Sequence, residues 1–190
     1  MNRREAISRV SLLLGGTIIG ANIFLEGCTP ADKKYGGGAE FTENDIRLLD
    51  EIAETILPET STPGAKAAGV GGFMTVMVND CYTKDDQKIF RDGMNTLNEE
   101  FRKKHDKSFV DGTPEERHAL LVELDKTQRD YTKNKKNDEP AHYFRMMKEL
   151  TLLGYFTSEV GATQALRYVE SPGKYEGCIP YKKGDRAWAL

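Results

Sequence analysis

The 190 residues carry 27 Lys+Arg and 30 Asp+Glu, with 38% hydrophobic and 30% charged residues, the profile of an ordinary soluble body large enough to bury one core. The first 27 residues hold three Arg and two Glu, so residues 28–190 have 24 basic against 28 acidic residues, a net charge near −4. That balance excludes the basic footprint of a nucleic-acid partner, and no internal repeat divides the chain.

Arg3 and Arg4 precede an apolar run from Val10 to Leu25, which ends in Leu25-Glu26-Gly27-Cys28. Residues 1–27 therefore read as an export signal. Leu25-Glu26-Gly27-Cys28 resembles a bacterial lipobox, which makes Cys28 the site of lipid attachment and the first residue of the mature protein. The paired arginines ahead of a weakly hydrophobic stretch resemble a twin-arginine leader, the route for proteins exported already folded. A plain anchor helix is the competing reading, because the run approaches the length of a membrane span. Residues 28–40, with Gly36-Gly37-Gly38 and no apolar periodicity, form a flexible tether. The remaining residues, 41–190, make up the folded domain.

Within that domain the apolar positions recur at three and four. Thr42, with Asp45 as an acidic N3 partner, opens a first helix whose stripe is Ile46, Leu49, Ile52, Ala53, Ile56 and Leu57, and Pro58 ends it. A Pro-bounded loop, Leu57 to Val70, leads to a second stripe of Val70, Phe73, Val76, Met77 and Cys81, with Cys81 buried or paired. The third helix spans Lys84 to His105 with Ile89, Phe90, Met94, Leu97 and Phe101 inside. Asp85 and Asp86 suit its N-terminal dipole. Thr113-Pro114-Glu115-Glu116 combines an N-cap, Pro at N1 and Glu at N3, and opens a helix carrying Leu120, Leu121 and Leu124.

Lys126 to Glu139 is strongly polar and reads as a solvated loop, with a basic docking patch as the alternative. Pro140 starts a fifth helix with Phe144, Met147, Leu150 and Gly154 on one face. Gly154 then reads as a stop and Thr157-Ser158 as a new N-cap, so two helices should meet at Tyr155-Phe156. Ser171-Pro172-Gly173 turns the chain into its tail. The fold class is all-α, an irregular bundle of about five or six helices with an irregular C-terminal tail.

Chemistry is scarce. The Pro- and Gly-containing loop before Val70 could cradle a phosphate at a helix N-terminus, but neither dinucleotide nor P-loop spacing is present. His105, His118 and His142 are far apart and fit no metal-ligand pattern. Acidic pairs such as Asp85-Asp86 and Glu115-Glu116 are what helix starts ordinarily carry. No catalytic, cofactor-binding or metal-binding residue is assigned. With Cys28 lipidated, Cys81 and Cys178 are an even pair in an oxidising compartment, and a disulfide between them is expected provided their Cα atoms come within reach. In the chain-entropy model it would be worth roughly 4 to 5 kcal/mol.

A set of spaced residues points to a family. Leu57-Pro58, Thr62-Pro63-Gly64-Ala65 with Ala68-Gly69-Val70, Leu150-Thr151 through Gly154-Tyr155-Phe156-Thr157-Ser158-Glu159, and Tyr175-x-Gly177-Cys178 before Ala187-Trp188 together resemble the gluconate 2-dehydrogenase subunit 3 family, from about Phe41 to Trp188. The resemblance implies a small, exported, non-catalytic partner of a large FAD-dependent dehydrogenase subunit of the glucose–methanol–choline type. That partner oxidises a sugar or sugar-acid hydroxyl and passes electrons to a cytochrome c or another acceptor. FAD is then expected in the partner and no cofactor in this chain. The implied location is the periplasmic face of a bacterial membrane, held by the lipid anchor, with no nucleic acid involved. Aromatic enrichment at protein contacts makes Tyr155, Phe156, Tyr175 and Trp188 the interface candidates, with core packing the alternative for each. A different class, an independent helical lipoprotein serving as a binding or structural module, shares the leader and the helical body.

Overall fold

The computed structural model describes residues 40–171, 173, 174 and 177–189. Arg3, Arg4, Cys28 and Tyr175 lie outside them. Among the described residues five α-helices occur in chain order: α1 (Glu43–Ile56), α2 (Val70–Cys81), α3 (Lys84–His105), α4 (Pro114–Asn134) and α5 (Tyr143–Thr157). A 3-10 turn, Phe109–Asp111, links α3 to α4, and a short π-helical turn, Gly161–Ala165, comes after α5. Among the described residues there is no strand, so the all-α class holds, and the one bridge of β type among them joins Arg167 to Trp188.

Local chemistry starts the helices. Thr42 Oγ1 accepts from Asp45 N–H at 3.3 Å while the Asp45 carboxylate accepts from Thr42 N–H at 2.7 Å, closing a capping box at α1. Thr113 and Glu116 repeat the arrangement at α4, and Thr83 caps α3. His142 opens α5, its Nδ1 accepting from Phe144 N–H at 3.2 Å. Burial holds the His142 pKa below its ordinary value, so the neutral ring keeps that acceptor nitrogen. Pro140 therefore precedes α5 instead of starting it. Its carbonyl accepts from the Tyr131 hydroxyl at 3.0 Å and ties the end of α4 to the approach of α5.

α5 touches each of the other four helices, and α1 packs on α2, α4 and α5. Their shared interior holds Leu48, Leu49, Ile52, Met74, Phe90, Met94, Leu97, Phe101, Phe144 and Met147, all at most 2% exposed. Burying large side chains of this kind, at about 1.5–3 kcal/mol each, is the chief force that fixes the bundle.

Three details differ from the sequence reading. On α2 the buried line is Val70, Met74 and Val78, whereas Val76 is 56% exposed and Cys81 is exposed at the helix end. The helix is apolar on most sides, so its periodicity leaves the buried direction open, and contact with α1 and α5 chooses it. α4 runs on through Lys126 to Asn134 in place of the expected loop. Gln128 is buried there, and Arg129 pairs with Asp125 one turn back, so tertiary support carries a polar sequence as helix. α5 passes Gly154 without a break and ends at Thr157. A Cβ on Gly154 would sit 2.6 Å from the Phe73 ring, so this glycine permits close α2–α5 approach. The junction falls instead at Ser158, whose Oγ donates to the Tyr155 carbonyl at 2.7 Å and accepts from Gly161 N–H at 3.0 Å.

Candidate partner-binding surface

The loop from Leu57 to Val70 is the place where the sequence would allow a phosphate to be cradled, and its amides are already engaged. Glu54 accepts from Glu59 N–H and Lys66 N–H, both at 2.9 Å, and Asp50 accepts from Gly71 N–H at 2.9 Å. Of the α1 carboxylates, Asp50 thus occupies the start of α2 where an anion would bind, and Glu54 fills the loop before it. Burial raises the pKa of Asp50, against the pull of the Gly71 amide and Lys66. Burial would raise Glu51 too, but Lys66 and Arg117 outweigh it and hold that carboxyl below its ordinary range.

The histidines stay apart. His105 faces Glu116 at 3.5 Å, His142 caps α5, and His118 lines a groove of about 200 Å³ with Val122, Asp125 and Lys148. Among the described residues no group of three His, Cys, Asp or Glu is placed to hold a metal. A second groove of about 400 Å³ between α4 and α5 carries Arg129, Lys133, Arg145, Lys148 and Glu149. Much of its charge is paired internally, Arg145 with Glu149 at 2.7 Å and Lys148 with Asp125 at 2.7 Å.

What distinguishes the surface is its C-terminal edge. Leu152, Leu153 and Phe156 project from the last two turns of α5, and Tyr168, Val169, Ile179, Tyr181 and Trp188 are exposed on the segment beyond it. Apart from these, Val76 and Val122 are the large apolar residues found exposed among the described positions. Eight of the ten large apolar residues exposed among the described positions thus fall between Leu152 and Trp188 of the sequence.

The four aromatic candidates separate here. Tyr155 is 4% exposed and belongs to the core, its hydroxyl donating to the Pro63 carbonyl at 2.7 Å across the molecule. Phe156, edge-on to Tyr155 with ring centroids 5.1 Å apart, is 39% exposed. Trp188 is 49% exposed and lies beneath the Arg167 guanidinium, 4.1 Å from Cζ to the ring centroid. Tyr175 falls outside the described residues. Sequence reasoning does not single out Tyr168, Ile179 and Tyr181; the available signal is an aromatic and apolar run lacking helical period around the Ser171-Pro172-Gly173 turn. Cys81 and Cys178 are both free and exposed, so the disulfide expected between them is not present in the structure.

Fold and surface together define a small all-helical protein with an aromatic C-terminal edge. The family model for gluconate 2-dehydrogenase subunit 3 matches residues 43–173, and the chain belongs to that family. The family name makes its members subunits of a multi-subunit dehydrogenase. Comparison with curated proteins and with solved structures returns no match.

Proposed function

We propose that this chain is the non-catalytic small subunit of a periplasmic flavin-dependent sugar or sugar-acid dehydrogenase. Its large partner, of the glucose–methanol–choline type, binds FAD and carries out the oxidation, passing electrons to a cytochrome c or another acceptor. The small subunit covers an apolar surface of that partner, accompanies it through export and holds it at the membrane. Family membership over residues 43–173 is the observation that carries the reading. The exposed aromatic edge supports it, because a surface of that composition is stabilised when a second protein removes it from water.

The leader fits the same scheme. Arg3 and Arg4 would direct a route that accepts folded cargo, and a partner already loaded with FAD needs such a route. Lipid on Cys28 and the tether to residue 40 would then keep the complex at the periplasmic face of the membrane.

Deletion of this chain alone tests the role. Flavin-dependent sugar oxidation in the exported fraction should fall severely, with the large subunit retained in the cytoplasm or degraded, and expression of this chain in trans should restore it. Unchanged activity and location of the flavoprotein would instead favour an independent helical lipoprotein.

A further inference from the structure

We infer that the groove between α4 and α5 binds a phosphate group, held between Arg129 and Lys133 of one helix and Arg145 and Lys148 of the other. The inference goes beyond the subunit reading and does not depend on it. At about 400 Å³ the groove has room for a phosphate and the organic group it esterifies, and Leu152 gives that group an apolar wall. Four cationic side chains line it, and two carboxylates pair with them. Glu149 takes Arg145, while the single charge of Asp125 is shared between Arg129 at 2.6 Å and Lys148 at 2.7 Å. Lys133 makes no ion pair among the described residues. Two positive charges are thus left over in one place, on a body whose residues 43–165 hold 17 Lys/Arg against 23 Asp/Glu. A phosphate monoester, at about −1.5 to −2, balances that surplus.

The arrangement is also preorganised. Asp125 accepts from Gln128 Nε2 at 3.1 Å as well as from Arg129 and Lys148, so one carboxylate fixes a guanidinium and an ammonium side by side. The guanidinium fork matches two phosphate oxygens, and the ammonium adds a point charge. A second observation comes from Thr132, which lines the groove and stands between Arg129 and Lys133 in sequence. Its Oγ1 is the one buried side-chain oxygen or nitrogen without a hydrogen-bond partner among the described residues. A buried hydroxyl left unpaired is costly, and an oxygen of a bound phosphate would accept from it. Phosphate is the chemistry shared by two sources, a soluble phosphate ester and the headgroup of an anionic phospholipid, and the test separates them.

The full-length chain, purified from its native membranes, is treated with an acetylating reagent, and the rate at each lysine is read by mass mapping. Lys133 reports on the groove, with the exposed Lys88 and Lys103 of α3 as references. In detergent, glycerol 3-phosphate at about ten times its Kd should slow acetylation of Lys133 about tenfold against chloride at equal ionic strength, leaving the references unchanged. A phospholipid source gives that protection in liposomes containing phosphatidylglycerol, none in phosphatidylcholine alone, and none with the soluble ester. Whichever probe acts, Arg129→Gln should raise its half-protecting concentration at least about tenfold, the loss of a charge-assisted contact. Its melting temperature without phosphate should stay near wild type, since the Arg129 side chain is exposed and Asp125 keeps Lys148 and Gln128. Thr132→Val should weaken protection about threefold yet raise the melting temperature of the unliganded chain, because the orphaned hydroxyl is gone. Protection by either source sustains the site. It is overturned if neither probe slows Lys133, if Lys88 and Lys103 are slowed equally, or if Arg129→Gln leaves the protection unchanged.

Discussion

Arg117 shows how a single side chain can hold three parts of this protein together. From α4 its guanidinium donates to the Phe109 carbonyl at 2.9 Å and the Val110 carbonyl at 2.6 Å, and it pairs with Glu51 of α1. Both partners of the ion pair are largely shielded, at 14% and 16% side-chain exposure. Removing the arginine leaves Glu51 paired with Lys66 alone and takes one donor each from the Phe109 and Val110 carbonyls, a larger loss than that of a surface pair. Arg117→Ala should therefore lower stability by about 1–3 kcal/mol in urea unfolding, with the denaturant slope unchanged. The pH dependence carries the same signature. Glu51 has its pKa lowered in the fold, so its contribution is present above the unfolded value of 4.5 and is lost as pH falls through the folded one. Arg117→Ala should flatten that acid-side loss, and an unaltered acid profile would show that the pair is not coupled to folding.

At the scale of elements, the α2–α5 contact is decided by Gly154. Alanine would improve helix propensity by about 1 kcal/mol, but its Cβ would meet the Phe73 ring at 2.6 Å, an overpacking that costs about 1–3 kcal/mol. The clash should win, and Gly154→Ala should destabilise by about 1–2 kcal/mol in thermal or urea melts; a stabilised variant would mean that Phe73 swings aside freely. The start of α4 offers a separate measurement. Lys107 and the Thr113 amide, helped by His105, draw the Glu116 pKa down to about 2. Its stabilisation is present above pH 4.5 and fades as pH falls towards 2, so Glu116→Gln should lose that part of the acid dependence while keeping the capping hydrogen bond. Identical pH–melting curves for the variant and wild type would contradict the assignment.

These elements also show what the sequence can and cannot convey. Thr42 with Asp45 and Thr113 with Glu116 are legible because a cap is a contact between residues three apart. Lys84 to His105 is legible because its apolar stripe is narrow and its ends are marked. Gly154 is ambiguous in sequence, since a stop and a close approach both call for glycine, and only Phe73 on another helix decides between them. The end of α4 is hidden for the same reason, because a polar stretch becomes helix once Gln128 is buried and Asp125 is paired with Arg129 and Lys148. Of the interface candidates, for each of which the sequence leaves core packing open, Phe156 and Trp188 are exposed, whereas Tyr155 reaches inward to Pro63, a partner far away in the chain.

For the whole molecule, the acidic helical body and the exposed aromatic edge are two halves of one account. The body supplies a stable platform of capped helices and ion pairs, while the edge leaves apolar surface in water that a partner can cover. Family membership supplies the kind of partner, a dehydrogenase subunit. The most direct measurement is gentle affinity purification of the tagged full-length chain from its native membranes, followed by a flavin spectrum and identification of the bound chains. The account predicts a stoichiometric complex with one large FAD-containing protein that oxidises a sugar or sugar acid. A lone colourless monomer, recovered intact under the same conditions, would contradict it.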